Sequence, residues 1–261
     1  MFESSSGYYP NNPNTLEKDV RSFLKEHPKL GVVPKLVVSP EEGLSDCGNV
    51  YGKLYSALDF SKFNNVVIIG SPPVKTGPEI SYVDEGFKTP LGEVEIDKNF
   101  TIQLDFSEHF EKRDDLFHLP FVEMQLIFLQ VLMEDFKVVP IMIENNLDEK
   151  TWEKAVEKIS EVLNPQDLLI TCSNLATSEE KGRETIKKYN TKILNCLRGN
   201  LEKAKFKKMG ESYNMSGWRS VLTGIKSREK FEKFHLFGHK IKTSDPILES
   251  QTTGFAGICF D

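Results

Sequence analysis

The sequence predicts an α/β fold: a central mixed sheet flanked by helices on both faces. Three observations predict it. Short apolar runs rich in β-branched residues recur along the chain, segments of helical period separate them, and the 261 residues hold no internal repeat, low-complexity tract or long linker. With 39% hydrophobic residues the chain can bury a large core, and one domain over 1–261 is expected.

After a polar lead, NTLEKDVRSFLKEH places Leu16, Val20, Phe23 and Leu24 on one helical face, with Asn14 three residues ahead of Glu17 as a capping box. VVPKLVVS (Val32 to Ser39) and NVVIIGS (Asn65 to Ser71) predict strands, and the helical NVYGKLYSAL between them completes a β-α-β unit. From Gly70 to Asp97 the chain is dense in Pro and Gly. SPPVKTGP cannot be helix, because proline removes a backbone donor and disfavours the α conformation before it, so a long loop ending in short strands around YVDEGFKTPLGEVEID is predicted. PFVEMQLIFLQVLMED predicts a mostly buried helix, FKVVPIMI a strand, DEKTWEKAVEKISEVL an amphipathic helix, and DLLITCSN (Asp167 to Asn174) another strand. Helices are expected from Ser178 to Gly210 and around Trp218 to Ile225, and strands in FEKFHLFGHKIKT and TTGFAGICF. This β-α-β-α-β alternation calls for helices on both faces of the sheet.

Charged residues make up 28% of the chain and the net charge is −6, which argues against a nucleic-acid-binding surface. The basic cluster EKAKFKKMG reads as the solvated end of a helix. Cys47, Cys172, Cys196 and Cys259 are scattered without C-x-x-C spacing, which fits free thiols in a reducing compartment. The start MFESSSGYYP has neither a basic nor an apolar leader region, and FVEMQLIFLQVLM is interrupted by Glu123, Gln125 and Gln130; a cytoplasmic protein without membrane contact is expected.

Candidate chemistry is sparse. Glu41 and Glu42 follow a predicted strand, where α/β proteins place function, and crowded carboxylates suit acid–base work. Adjacent residues of an extended segment point to opposite sides, so two exposed loop glutamates are expected. His235 and His239 have a metal-like i, i+4 spacing, but the alternation of FHLFGHK indicates a strand, where that spacing brings nothing together. Cys47, at a predicted helix start, and Cys172, at a strand end, could serve redox sensing if a thiol titrated low; no nucleophile elbow accompanies either, and small-residue packing is the expected role. GSPP after a strand lacks the glycine spacing and free N–H groups of a phosphate cradle.

SGYYP (Ser6 to Pro10), PEEGLSDCG, TPLGEVEID (Thr89 to Asp97), VEMQLIFLQ, FKVVPIMI and TGFAGICF (Thr253 to Phe260), in this order, resemble the Memo family, whose prokaryotic branch is labelled AmmeMemoRadiSam system protein B. The match runs over nearly the full chain, and the EMQL form is nearer the eukaryotic branch. The resemblance implies a fold similar to class III extradiol dioxygenases, with a pocket at the strand ends. In typical members that pocket gathers histidines, an aspartate and a cysteine, linked to iron or copper.

The corresponding positions here are altered. Glu41 stands for the histidine of a PHAG-like loop and Glu42 for its small neighbour; Gly70-Ser71-Pro72-Pro73-Val74 replaces a G-P-S-H-H-like loop; Leu119-Pro120-Phe121 replaces an E-H-S segment, with Glu123 retained. An S-S-D-x-S-H-like motif becomes Cys172-Ser173-Asn174-Leu175-Ala176-Thr177, and Asn214 or Met215 takes the place of a cysteine. Glu41, Glu42, Asp46, Ser71, Pro73, Glu123, Asn174, Thr177 and Asn214 are therefore expected to line a vestigial pocket with no metal, cofactor or catalytic residue. Two carboxylates without histidine suit at most a weak hard-cation site. The expected role is a non-catalytic adaptor that binds an unidentified protein partner or a peptide; the family association with cell-motility signalling and phosphotyrosine peptides enters by analogy, although an acidic chain disfavours phosphate. The alternative is a metal-dependent redox or hydrolytic enzyme acting on a small molecule through Glu41, Asp46, Glu123 and Ser71.

Overall fold

A computed structural model describes residues 2–3, 7–72, 79–113, 119–199, 201–228, 231–245 and 250–261. The chain opens with β1 (Phe2–Glu3) and α1 (Pro13–Lys25). The cap of α1 is Asn12, not Asn14: Asn12 accepts from the Thr15 N–H at 3.0 Å while Pro13 occupies the first turn, where no backbone donor is needed. β2 (Leu36–Ser39), α2 (Leu44–Ala57) and β3 (Asn65–Gly70) form the expected β-α-β unit, although Val32 makes only an isolated bridge to Leu58 and lies outside the strand.

Three short strands follow, β4 (Ile80–Tyr82), β5 (Phe87–Thr89) and β6 (Gly92–Ile96). Sequence periodicity does not anticipate α3 (Lys98–Asp105); its cap is local, with the Asp97 carboxylate accepting from the N–H groups of Asn99 and Phe100. Then come β7 (Glu111–Lys112), α4 (Pro120–Leu132), β8 (Lys137–Ile143), α5 (Glu149–Val162) and β9 (Asp167–Cys172). The chain ends through β10 (Thr177–Ser178), α6 (Arg183–Arg198), α7 (Lys203–Ser212), α8 (Trp218–Ser227) and the long hairpin β11 (Phe234–Asp245) and β12 (Ser250–Phe260).

Among the described residues the strands join one mixed sheet, with β6-β8-β3-β9-β2 parallel and β12 antiparallel to β2. Alternation in β3 serves two cores: Val66 and Ile68 pack with α1, α2 and α4, whereas Val67 and Ile69 pack with α5, α6 and α8. Each such fully buried side chain contributes about 1.5–3 kcal/mol. Pro140 is tolerated inside β8 because it lies between Val138, the last residue paired with β6, and Ile141, the first paired with β4.

This topology places a crevice. β2 and β9 are parallel neighbours, Val38 opposite Thr171, yet β2 leads into α2 on one face while β9 continues towards α6 and α8 on the other. The two chains part beyond Ser39 and Cys172, and such switch points are where open α/β sheets bind ligands.

Candidate functional site

The crevice fills with loops that two glycines allow to approach closely. Leu44 N–H donates to the Tyr8 carbonyl at 2.9 Å, and a Cβ on Gly43 would lie 2.8 Å from that oxygen, so only glycine lets the Tyr8–Tyr9 segment settle on the loop of Glu41 and Glu42. On the other side a Cβ on Gly217 would lie 2.1 Å from the Cys172 carbonyl oxygen. Gly217 thereby brings Ser216 over the end of β9.

Asn174 is the hub. Its Oδ1 accepts from the Glu41 N–H at 3.4 Å, its Nδ2 donates to Glu42 Oε1 at 3.0 Å, and its backbone N–H donates to Ser216 Oγ at 2.9 Å. Ser216 also hydrogen-bonds the Glu41 carboxyl. From the α4 side, Glu123, only 3% exposed, accepts from Tyr9 Oη at 2.5 Å. Gln125, two residues further along α4, braces the loop by donating to the Pro40 carbonyl at 3.1 Å and accepting from the Tyr55 hydroxyl.

Charge is crowded here. Burial first, then the neighbouring Glu42, pushes the Glu41 carboxyl up to about 7, against the opposing bond from Ser216. Burial likewise raises the Tyr8 phenol, followed by the charges of Glu42, Glu41 and Glu123, so Tyr8 and three carboxylates share one electrostatic environment.

A profile described as Memo-like protein matches residues 4–259. The chain belongs to the Memo-like family. A MEMO1 family protein of Archaeoglobus fulgidus is 30% identical over 155 residues, covering 59% of this chain and 57% of that protein. One from Methanobrevibacter smithii is 26% identical over 235 residues, covering 83% and 82%. This chain thus spans little more than half of the first relative's length and most of the second's. The crystal structure of the uncharacterized protein JW3007 from Escherichia coli K12 superimposes with a TM-score of 0.50 at 10% identity, over 87% of this chain and 100% of that one, a likeness of fold. The mixed sheet between helices is the dioxygenase-like arrangement that the Memo resemblance implied.

In this Memo-like protein the residues singled out from sequence divide into two groups. Glu41, Glu42, Glu123 and Asn174 meet at the crevice. The glutamates are not the exposed pair expected; both are half-buried, because the single side chain of Asn174 engages the backbone of one and the carboxylate of the other. The remaining residues face other partners. Asp46 pairs with Lys242 at 2.5 Å on β11, Ser71 donates to the Ile143 carbonyl at 3.2 Å, and Thr177 N–H donates to the Tyr213 carbonyl at 2.9 Å. Asn214, at φ 50°, makes the left-handed turn after α7 that precedes Ser216. Pro73 lies outside the described residues. Sequence reading passed over Tyr8, Tyr9 and Ser216. The first two stood in the SGYYP segment; Ser216 carried no signal beyond its place two residues after Asn214.

Among the described residues the donor set of the crevice does not suit iron or copper, which favour imidazole and thiolate. Carboxylates converge, but His235 meets Asp261 at 3.1 Å, His239 meets Asn190 at 3.1 Å and His109 lies beside Glu108. Among the described residues no group of three His, Cys, Asp or Glu side chains is placed to hold an ion. The nearby thiol of Cys172 is spent on the Phe121 carbonyl at 3.5 Å, and burial holds its pKa well above the usual range. Cys47 is raised too, by burial first and then by Glu42 and Asp46, so its place near the start of α2 does not lower it. No helix of the described residues is long and apolar enough to cross a membrane.

Proposed function

We propose that this Memo-like protein is a non-catalytic adaptor that binds a protein partner or peptide, with its strand-end crevice turned from chemistry to holding loops. One observation carries the reading: each crevice carboxylate has a neutral side-chain donor, Asn174 for Glu42, Tyr9 for Glu123 and Ser216 for Glu41. Three crowded carboxylates favour a basic peptide group over a phosphate. The test is metal content by plasma mass spectrometry on tag-free protein after anaerobic incubation with iron(II) and copper(I), together with cross-linking from native cells and reconstitution of any complex from purified components. Metal near zero and a reconstituted complex fit the proposal. One metal equivalent retained through desalting, and lost in Glu41→Ala, overturns it.

A second reading rests on Glu41 itself. A carboxyl titrating near 7 at a switch point suits general acid–base catalysis on a small molecule, with Glu123 as the other carboxylate. Asp46 and Ser71 are directed elsewhere and have no part in it. A turnover screen in which Glu41→Gln abolishes an activity supports this reading; activity equal in wild type and variant removes it.

A further inference from the structure

The long hairpin leaves one strand edge bare. β11 pairs with β12 along its length, and among the described residues no strand pairs with its other side. The direction of its backbone groups follows from β12. Gly254 N–H donates to the Ala176 carbonyl at 2.9 Å and its carbonyl accepts from the Leu175 N–H at 2.8 Å, so both groups point away from β11. Gly254 and Ile241, which face each other, are therefore a non-hydrogen-bonded pair, and the Ile241 N–H and carbonyl point to the outer edge. Arg183, an exposed residue at the start of α6, donates from Nη1 to that carbonyl at 2.9 Å, standing where the N–H of a neighbouring strand would stand. By the alternation of the ladder His239 and Thr243 also face outward, whereas Lys240 and Lys242 bond to β12. Leu236 is 37% exposed, and His239 and Lys240 are exposed, so the edge is open to an arriving chain.

Proteins commonly guard such edges with bulges and with lysines that stand free. The register of β11 shifts between Leu236 and Gly238, but from His239 to Thr243 the ladder is regular. Its lysines are held against α2: Lys242 pairs with Asp46 at 2.5 Å, and Lys240 donates to the Asp46 carbonyl at 2.6 Å. The two faces beside the edge therefore differ in character. On the α2 face stand two ammonium groups against the single Asp46 side chain. On the α6 face Ile241 joins the core and His239 meets Asn190 at 3.1 Å. Arg183 adds a further positive charge at the edge itself.

We propose that the outer edge of β11 takes an extended acidic segment of a partner protein as an added strand. The backbone groups of His239, Ile241 and Thr243 supply the ladder, and the segment's N–H replaces Arg183 on the Ile241 carbonyl. Acidic side chains of the segment lie beside Lys240 and Lys242, and apolar ones follow the α6 face. A second copy pairing antiparallel about Ile241 would set Lys240 against Lys242, like charges directly opposite, so an acidic partner is favoured over self-association. This surface goes beyond the adaptor reading of the crevice and does not depend on it.

The test is amide hydrogen exchange by NMR on the full chain, with and without a peptide as long as β11 that alternates Glu with Val, and the affinity of that peptide by fluorescence anisotropy. In the free protein the amides of His239, Ile241 and Thr243 should exchange faster than those of Lys240 and Lys242, and the peptide should slow them. The counterpart with Lys for Glu should bind about tenfold or more weakly. His239→Pro removes an outward N–H and leaves the β12 ladder whole, so it should abolish binding where His239→Ala does not. Should His239→Pro fail to fold, a fully N-methylated peptide, which cannot donate to a ladder, serves in its place and should not bind. Glu41→Gln should leave binding unaltered. No binding of the acidic peptide, equal binding of the Lys peptide, binding that leaves the three amides unslowed, or loss of binding in Glu41→Gln overturns the proposal. So does a free protein in which those amides are already as slow as those of Lys240 and Lys242, as they would be in a dimer paired through β11.

Discussion

Replacing Glu41 by Gln should stabilise the protein at pH 8 far more than at pH 5. The Glu41 carboxyl moves from the ordinary 4.5 to about 7 on folding, with burial the chief cause. The folded value lies above the unfolded one, so the folded state holds the proton more tightly. The stabilising effect of that proton is complete below about pH 4.5 and is lost as pH rises through about 7. A displacement of this size corresponds to about 3 kcal/mol in full. Glu41 is half-buried and water screens part of its charge, so a gain for Glu41→Gln of about 1–3 kcal/mol at pH 8, mostly gone at pH 5, is the expected result. Urea unfolding of both proteins at the two pH values measures it, and carbon-detected NMR titration of the glutamate carboxyls places the pKa directly. A gain equal at both pH values, or a variant less stable than wild type at pH 8, would refute the reasoning, because the carboxylate would then be better accommodated than its burial implies.

Three further outcomes follow from the same geometry. Tyr9→Phe removes the hydroxyl that donates to buried Glu123 at 2.5 Å and should cost about 1.5–3 kcal/mol in urea unfolding; a change below about 0.5 kcal/mol would mean that the bond contributes little. Gly217→Ala places a methyl 2.1 Å from the Cys172 carbonyl oxygen, so the backbone must shift at a cost of about 1–3 kcal/mol, and amide exchange at Asn174, whose N–H donates to Ser216, should accelerate; unchanged exchange counts against the close approach. All four cysteines are buried, and burial lifts Cys259 to about 12, so a thiol reagent at pH 8 should label the native protein slowly and all four thiols in denaturant; a thiol that reacts at once in the native state would restore the redox-sensing idea.

Much of the architecture was legible because β-branched runs and amphipathic periods carry their own burial pattern. Val66 to Ile69 read as a strand and alternate between two cores as a doubly covered strand must. The failures have local causes. Asn12 displaced Asn14 as a helix cap because Pro13, which needs no N–H partner, takes the first helical position. Helix α3 was hidden because its eight residues bury only Phe100, Thr101 and Leu104, too few to show a period.

The crevice shows why residue type was readable and convergence was not. Spacing along the chain could nominate Glu41, Glu42, Glu123 and Asn174 one by one, but Asn174 meets Glu42 across 132 positions and Tyr9 meets Glu123 across 114. Only the switch point between β2 and β9 joins them. Strand alternation does not extend to Glu41 and Glu42, because the chain has left β2 at Ser39. Once outside the ladder, the two backbones are free to follow Asn174, and their carboxylates come close enough for one to raise the pKa of the other. A site that binds a transition metal through imidazole needs no such neutral donors. Here hydroxyls and an amide hydrogen-bond three glutamates, tying together the loops that leave β2 and β9 and the start of α4.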